Sequence, residues 1–311
     1  MAHIKIGVIG LGRMGSAIAY RAQQGGFAVC GYDPSAESVA HAHAQAIKTV
    51  DTVEALVAFA DLLWLMVPAG KPVDAMLDVI IASGKQNVIV VDGGNSKFSD
   101  SIRRAAHCAA HGIAFLDCGT SGGLKGKEIG YCLMIGGSHD VFKHVEPLFA
   151  VLAIPHGYAY MGASGAGHYV KMVHNGIEYA LLQAYAEGFQ LLHEGSFPQL
   201  HLDKVAQVWC HGSVIRSWIL ELLADGLTHD SVETISGRVA ESGMGAWTVE
   251  EAHAHNIPVD LIERSLAIRH ESQHTGGTFA TQLVSLLRHK FGGHAIERIA
   301  PKKDNPSAHG E

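Results

Sequence analysis

No stretch of the 311 residues offers about 18 uninterrupted apolar positions, the least that a membrane-crossing helix needs, so no spanning segment is expected. A basic run is missing too: 23 Lys and Arg stand against 30 Asp and Glu, a formal net charge of -7, which argues against a nucleic-acid partner. The opening MAHIKIGVIG lacks the charged flank, apolar stretch and cleavage site of a secretion signal, so the protein is expected in the cytoplasm. Cysteine is scarce: Cys30, Cys108, Cys118, Cys132 and Cys210 form no C-x-x-C pair and sit in regular-looking runs, so reduced, buried thiols are expected. Histidine is plentiful, at 21 residues, yet no H-E-x-x-H occurs. Pairs such as His41/His43 and His253/His255 fall on polar helix faces with no Cys or carboxylate at ligand spacing, so no metal is expected.

What is present is an ordinary globular composition, 48% hydrophobic and 17% charged, in a chain long enough for two cores. The first half alternates apolar runs with helical patterns: KIGVI (5–9), AVCGY (28–32), LLWLM (62–66), VIVVD (88–92), AFLDC (114–118), YCLMIG (131–136) and a run near HGYAY (156–160). That alternation predicts an α/β fold with a Rossmann-type doubly wound sheet over 1–162. Strand signals then stop, and helices are predicted over 165–194, 203–211, 215–227, 248–255, 259–271 and 279–290, an all-α domain over 163–300. The polar end PKKDNPSAHGE, 301–311, has no apolar face and is expected to be a mobile tail.

Gly10, Gly12 and Gly15 in GVIGLGRMG follow a strand and open a helix, the context in which a G-x-G-x-x-G binds a dinucleotide. Backbone from Leu11, Arg13 and Met14 would line a pyrophosphate at the helix N-terminus. Asp33 closes the second strand about 20 residues further on, where a carboxylate accepts from a ribose 2′-hydroxyl and repels a 2′-phosphate. No Arg or Lys follows in YDPSAES, so NAD is expected over NADP. Val67, Pro68 and Ala69, in MVPAG at the end of a later strand, belong on the same edge of the sheet.

HYVKMVHNGIEY (168–179) concentrates polar chemistry on one helix. At about 100° per residue, Lys171, His174, Asn175, Glu178 and Tyr179 fall within roughly 140°, with His168 inside the arc. Val173, Ile177 and Ala180, flanked by Met172 and Leu181, form the opposite side, which is expected to be covered by packing while the polar stripe faces a cleft. DGGNSK (92–97) and GTSGGLKG (119–126) place Asn95, Ser121, Gly122 and Gly123 in glycine-rich loops able to hold a polyhydroxylated ligand.

Together, VDGGNS, SGG and GHYVKMVHNGIEY resemble the decarboxylating 6-phosphogluconate dehydrogenases, within the wider β-hydroxyacid dehydrogenases. GSVIRS (212–217) and LLRHKFGGH (286–294 region) extend the resemblance over nearly the whole chain, at the length of the short bacterial form. The resemblance implies that Lys171 is the general base at the 3-hydroxyl and Glu178 the general acid at C1 of the enediol. It implies that Asn95, Ser121, Gly122, Gly123, His174 and Asn175 hold the carboxylate and hydroxyls, Asn95 also meeting the cofactor. Tyr179 and Arg216 match phosphate ligands, and Arg288 and His294 match residues supplied by the partner in a homo-oligomer, at least a dimer. Where many members have K-G-T-G-K-W this chain has SGMGAW, with Ser242, Met244 and Ala246 at the altered positions. Positive charge there is reduced. Arg269 in LAIRHES is a candidate replacement, set against the ordinary reading of a solvated helix charge.

Alternatives remain at this stage. A dehydrogenase of a smaller or unphosphorylated substrate, such as 3-hydroxyisobutyrate or gluconate, would keep Lys171 and Asn175 but has no evident use for Arg216, Arg288 and His294. A catalytically silent NAD-binding protein would be expected to have lost Lys171 or Glu178.

Overall fold

The computed structural model describes residues 4–197 and 199–300; the 301–311 tail lies outside the described residues. The chain divides into two compact units, Met1–His174 and Asn175–Glu311, and a single long helix runs from the first into the second.

The first unit carries strands β1 (Lys5–Ile9), β2 (Ala28–Tyr32), β3 (Lys48–Thr49), β4 (Leu62–Leu65), β5 (Ile89–Asp92), β6 (Ala114–Ser121), β7 (Tyr131–Gly137) and β8 (Ala153–Gly162). Its helices are α1 (Arg13–Gln24), α2 (Ala36–Ala44), α3 (Val53–Phe59), α4 (Lys71–Ala82), α5 (Phe98–Ala109), the single turn α6 (Gly126–Ile129), α7 (His139–Leu152) and the start of α8 (Ala166–Glu194). The sheet order is β3-β2-β1-β4-β5-β6-β7-β8. Pairing is parallel from β3 to β6, antiparallel between β6 and β7, and parallel again to β8.

The central strands read as continuous apolar runs because both faces of the sheet are covered. Alternate residues of β4 divide between two cores: Leu62 and Trp64 join Ile18, Leu116 and Phe149 on one face, while Leu63 and Leu65 join Leu56, Leu77 and Ile80 on the other. The carboxyl ends of β2, β1, β4 and β5 lie in that order along one edge, the edge at which nucleotides bind in such sheets.

The second unit is helical: the rest of α8, then α9 (Leu202–Cys210), α10 (Trp218–His229), α11 (Met244–Ala254), α12 (Asp260–Thr275) and α13 (Phe279–Gly292). Its core gathers Leu182, Phe189, Leu220, Leu223, Leu283 and Leu287. No helix of the described residues is long and apolar enough to cross a membrane.

Two expectations need correction. Cys30, Cys108 and Cys118 are buried and free, but Cys132 is exposed beside the end of β6 and Cys210 is half-buried. Burial pushes the Cys108 thiol up to about 11. His253 and His255 do have carboxylate partners: His253 contacts Glu263 on α12, and His255 pairs with Glu251 at 3.1 Å one turn earlier on α11. The first partner comes from another helix, which spacing along α11 cannot reveal.

Candidate active site

The nucleotide loop is built on three glycines with different duties. Gly10 has φ +91°, and a Cβ there would come within 2.5 Å of the Met66 carbonyl oxygen. A Cβ on Gly15 would lie 1.8 Å from the Gly10 oxygen, so only glycine lets α1 start this close to β1. Gly12 caps α1, and a Cβ there would meet nothing within 4 Å. That open side is where a phosphate can approach the first-turn amides around Arg13 and Met14.

Asp33, at the end of β2, is held by two backbone amides: Oδ2 accepts from Leu11 at 2.7 Å and Oδ1 from Ser35 at 2.8 Å. Each oxygen keeps a lone pair, so the carboxylate is oriented while still able to accept from a ribose hydroxyl. Val67, Pro68 and Ala69 follow β4 directly and lead into Gly70, the N-cap of α4. A cavity of about 140 Å³ beside α1 is lined by Arg13, Met14, Ser16, Ala17, His41, Gly123, Leu124, Lys127 and Tyr131. These residues fit a dinucleotide in donor set and in backbone clearance.

The substrate loops stand on the next strands. Asn95 is exposed just beyond β5, and Ser121 ends β6 half-buried, followed by Gly122 (φ +121°) and Gly123 (φ +52°). Ser121 Oγ lies 3.4 Å from His174 Nε2 on α8. Lys171 is 5% exposed on the same helix. Its close approach to β6 depends on Gly119, where a Cβ would fall 2.4 Å from the Lys171 Cβ.

Asp117, fully buried on β6, anchors the start of α8: its Oδ1 accepts from the Gly165 amide at 2.6 Å and its Oδ2 from the His168 amide at 2.9 Å. His168 is itself buried, with Nδ1 2.7 Å from Ser101 Oγ on α5. Sequence reasoning missed Asp117. Its only signal was a carboxylate inside the apolar run AFLDC, which is unusual enough to mark a structural anchor.

In the second unit Tyr179 is the centre of a polar group. It is 3% exposed, and its hydroxyl lies 3.4 Å from Ser242 Oγ. The Arg269 guanidinium stacks 3.3 Å above the Tyr179 ring centre. Arg269 is 2% exposed and its Nη2 has no hydrogen-bond partner among the described residues, so the solvated reading of this residue is overturned. Burial pushes Arg269 down to about 10; Tyr179 opposes that, the like charge of Arg288 adds to it, and Glu178 and Glu241 oppose it. Arg288 is also lowered, by burial first, against the opposing influence of Tyr179, Glu178 and Glu241 of the same chain. The half-buried Arg288 thus lies within electrostatic reach of the buried Arg269, a setting suited to a dianion.

Other expected residues stand differently. Arg216 is exposed in the loop before α10. His294 follows α13 and packs its ring edgewise against Phe291 at 6.1 Å, while its carbonyl accepts from His289 Nδ1 at 2.8 Å. Of the altered positions, Ser242 remains at the site, Met244 is buried in the core, and Ala246 is half-buried. Asn175 and Glu178 are half-buried on α8.

One expectation about α8 is reversed. The polar stripe, not the apolar side, is the buried one: Lys171 and Tyr179 are nearly inaccessible, whereas Ile177 is 52% and Leu181 43% exposed. Met172, Leu182 and Ala186, which share the stripe's flanks, take the core contacts. Among the described residues, no cluster of three or more His, Cys, Asp or Glu is disposed to hold a metal ion.

With this geometry in hand, comparison with known proteins is informative. Residues 5–175 match the NAD-binding domain of 6-phosphogluconate dehydrogenase, and residues 167–282 match the C-terminal domain of that enzyme. A Haloferax volcanii protein named as an NAD(+)-dependent, decarboxylating 6-phosphogluconate dehydrogenase is 46% identical over 301 residues, spanning 95% of this chain and 99% of its own. A decarboxylating 6-phosphogluconate dehydrogenase of Saccharomyces cerevisiae is 35% identical over 85% of this chain but only 58% of its own length. Among solved structures, the Plasmodium falciparum 6-phosphogluconate dehydrogenase superposes with a TM-score of 0.80 at 27% identity, covering 96% of this chain and 67% of that one. A Salmonella typhimurium 3-hydroxyisobutyrate dehydrogenase reaches a TM-score of 0.75 at 20% identity over 91% of this chain and 99% of that one, a likeness of fold alone.

Proposed function

The chain belongs to the 6-phosphogluconate dehydrogenase family, and from that premise we propose that it oxidises and decarboxylates 6-phosphogluconate with NAD, releasing ribulose 5-phosphate and CO2. It is an NAD-linked oxidoreductase. The observation that carries the substrate assignment is the buried Arg269, stacked on Tyr179 with its Nη2 unpartnered among the described residues, together with the half-buried Arg288 that acts on it electrostatically. An unphosphorylated or smaller acid would leave that charge unanswered, and buried charge without a partner is costly.

When bound, NAD supplies the hydride acceptor; the side chains manage protons and position. The Lys171 amine takes the proton of the 3-hydroxyl as the C3 hydrogen departs with its electron pair. That step needs the amine uncharged, and Lys171 stands 5% exposed on α8. The resulting β-keto acid loses its carboxylate as CO2 while the ammonium of Lys171 returns a proton to the keto oxygen, leaving an enediol. Glu178, two turns along α8 and so on the same face, protonates the carbon that becomes C1 of ribulose 5-phosphate. Asn95, Ser121, Gly122, Gly123, His174 and Asn175 hold the carboxylate and hydroxyls, and Tyr179 joins the two arginines on the phosphate. Arg216 and His294 are assigned to its outer edge. Asp33 sets the preference for NAD, and the reaction fits a cytoplasmic pentose phosphate route serving gluconate utilisation.

We also assign a homo-oligomer, at least a dimer. Ile177, Leu181, Ala184, Gly188 and Leu191 are all exposed along one line of α8, spaced four and three residues apart. That is the spacing of a helix seam that packs on a second helix.

The decisive experiment follows reduced nicotinamide absorbance with 6-phosphogluconate, gluconate and 3-hydroxyisobutyrate, each with NAD and NADP. Turnover fastest by far with 6-phosphogluconate, weak with gluconate, and faster with NAD than with NADP is expected. A preference for 3-hydroxyisobutyrate would remove the substrate assignment, and equal efficiency with both cofactors would remove the argument from Asp33.

A further inference from the structure

Arg104 is a fully desolvated cation that none of the steps above employs. It is 1% exposed on α5, and its guanidinium uses every edge. Nε donates to Asp74 Oδ1 at 2.8 Å, Nη1 donates to Ser96 Oγ at 3.0 Å, and Nη2 donates to the Gly70 carbonyl at 3.0 Å. Nη1 also stands 3.5 Å from Asp92 Oδ2, a carboxylate that is itself fully buried. Ser96 Oγ donates to that same Oδ2 at 2.7 Å, and the Gly94 amide donates to Asp92 Oδ1 at 3.1 Å.

These partners come from two separate loops. Gly70 ends the 66–70 turn after β4, which contains Val67, Pro68 and Ala69; Asp92, Gly94 and Ser96 form the turn after β5, which contains Asn95. Asp74 lies in the first turn of α4, directly behind the 66–70 loop. The backbones of the two loops also run close: a Cβ on Gly94 would come 3.2 Å from the Val67 oxygen. A buried salt link to Asp92 alone could be a core device of neutral value, since apolar replacements often serve as well. The Gly70 carbonyl and the Ser96 hydroxyl are different, because they tie the cation to the backbone path of two turns whose tips carry the coenzyme and substrate contacts.

We propose that Arg104 is a positioning residue that clamps the 66–70 and 92–96 loops in one register, so that Val67–Ala69 and Asn95 meet the coenzyme and substrate together. The proposal rests on the NAD reading of this sheet edge. Arg is required in place of Lys because only a planar fork reaches Asp74, Gly70 and Ser96 at once. The clamp acts on binding geometry and not on proton transfer, so its loss moves affinity for the coenzyme and leaves the pH profile of kcat in place.

The test compares Arg104→Lys, Arg104→Met and the charge-balanced double variant Arg104→Met/Asp92→Asn with the unaltered protein. NADH affinity is measured by fluorescence, thermal midpoints by circular dichroism, and KM and kcat by absorbance. A rise of roughly tenfold or more in the NADH Kd and in the NAD KM is expected in every variant that folds, Arg104→Lys included, with the pH profile of kcat unmoved. The double variant removes the stranded buried carboxylate, so it recovers thermal stability but not NADH affinity. An NADH Kd within twofold of the unaltered protein in any folded variant would overturn the proposal. So would recovery of affinity together with stability in the double variant, or failure of all three to fold, since either outcome gives Arg104 to the fold alone. If the unaltered protein bound no NADH, the coenzyme reading itself would fall, by a result distinct from all of these.

Discussion

Arg269 carries its cation at 2% exposure with an Nη2 that has no hydrogen-bond partner among the described residues. A phosphate dianion would answer it, and a charge-assisted hydrogen bond of that kind is worth about 1.5–3 kcal/mol. Arg269→Ala should therefore raise the KM for 6-phosphogluconate by roughly 10- to 150-fold while leaving the weak turnover of gluconate unchanged. An equal loss on both substrates would show that the residue serves the fold and not the phosphate. At the two proton-handling positions the expected effects separate. Lys171→Met should abolish oxidation and decarboxylation alike, because one amine serves both. Glu178→Gln should slow the final protonation by roughly 100- to 10,000-fold, the range of lost general acid catalysis, while hydride transfer in a single turnover persists. A burst of NADH in the Glu178→Gln protein and none in the Lys171→Met protein is the pattern to look for.

At the scale of elements, the contact between β6 and α8 sets where Lys171 can stand. Gly119→Ala would put a Cβ 2.4 Å from that of Lys171, and neither a strand centre nor the first turns of a capped helix yields easily. A stability loss of about 1–3 kcal/mol from overpacking is expected in urea titrations. The kcat should fall much further than the affinity for NADH, because the displaced element carries the proposed base and not the nucleotide loop. Asp117 sits under the same turn, and such long-range anchoring explains which parts of the molecule could be read in advance. The strands β1, β2 and β4 to β7 were legible because their apolar runs follow from burial on both faces; β8, a largely exposed strand at the sheet's end, was legible only as the short run near 156–160. β3 was not, since two residues, Lys48 and Thr49, carry no pattern. The polar arc of α8 followed from its 3.6-residue period, but which face is covered depends on neighbours far along the chain. Hence Ile177 and Leu181 came out exposed. Arg269 was legible as a residue and illegible as a site, because its partner Tyr179 is 90 positions away in sequence.

At the scale of the whole molecule, the open question is which chain supplies the second arginine. The resemblance assigns Arg288 to a partner, yet α13 of one chain already brings it within the electrostatic reach of its own Tyr179 and Glu178. Within a single chain, α13 packs Leu283, Leu286 and Leu287 into the helical core and leaves Arg288 half-buried. In the proposed dimer the exposed seam of α8 would then have a different task, holding two complete copies together. If that dimer forms, Leu181→Glu should leave a monomer in sedimentation while sparing the Arg288 contact. Subunit mixing decides the origin of Arg288. A Lys171→Met chain and an Arg288→Ala chain, exchanged into mixed dimers, would each keep one defect per site if Arg288 acts within its own chain. No activity should return. If Arg288 instead reached across, one site of each mixed dimer would hold both defects and the other neither. Activity approaching half of the unaltered value per mixed dimer would then appear, and α13 would have to be assigned to the neighbour's site.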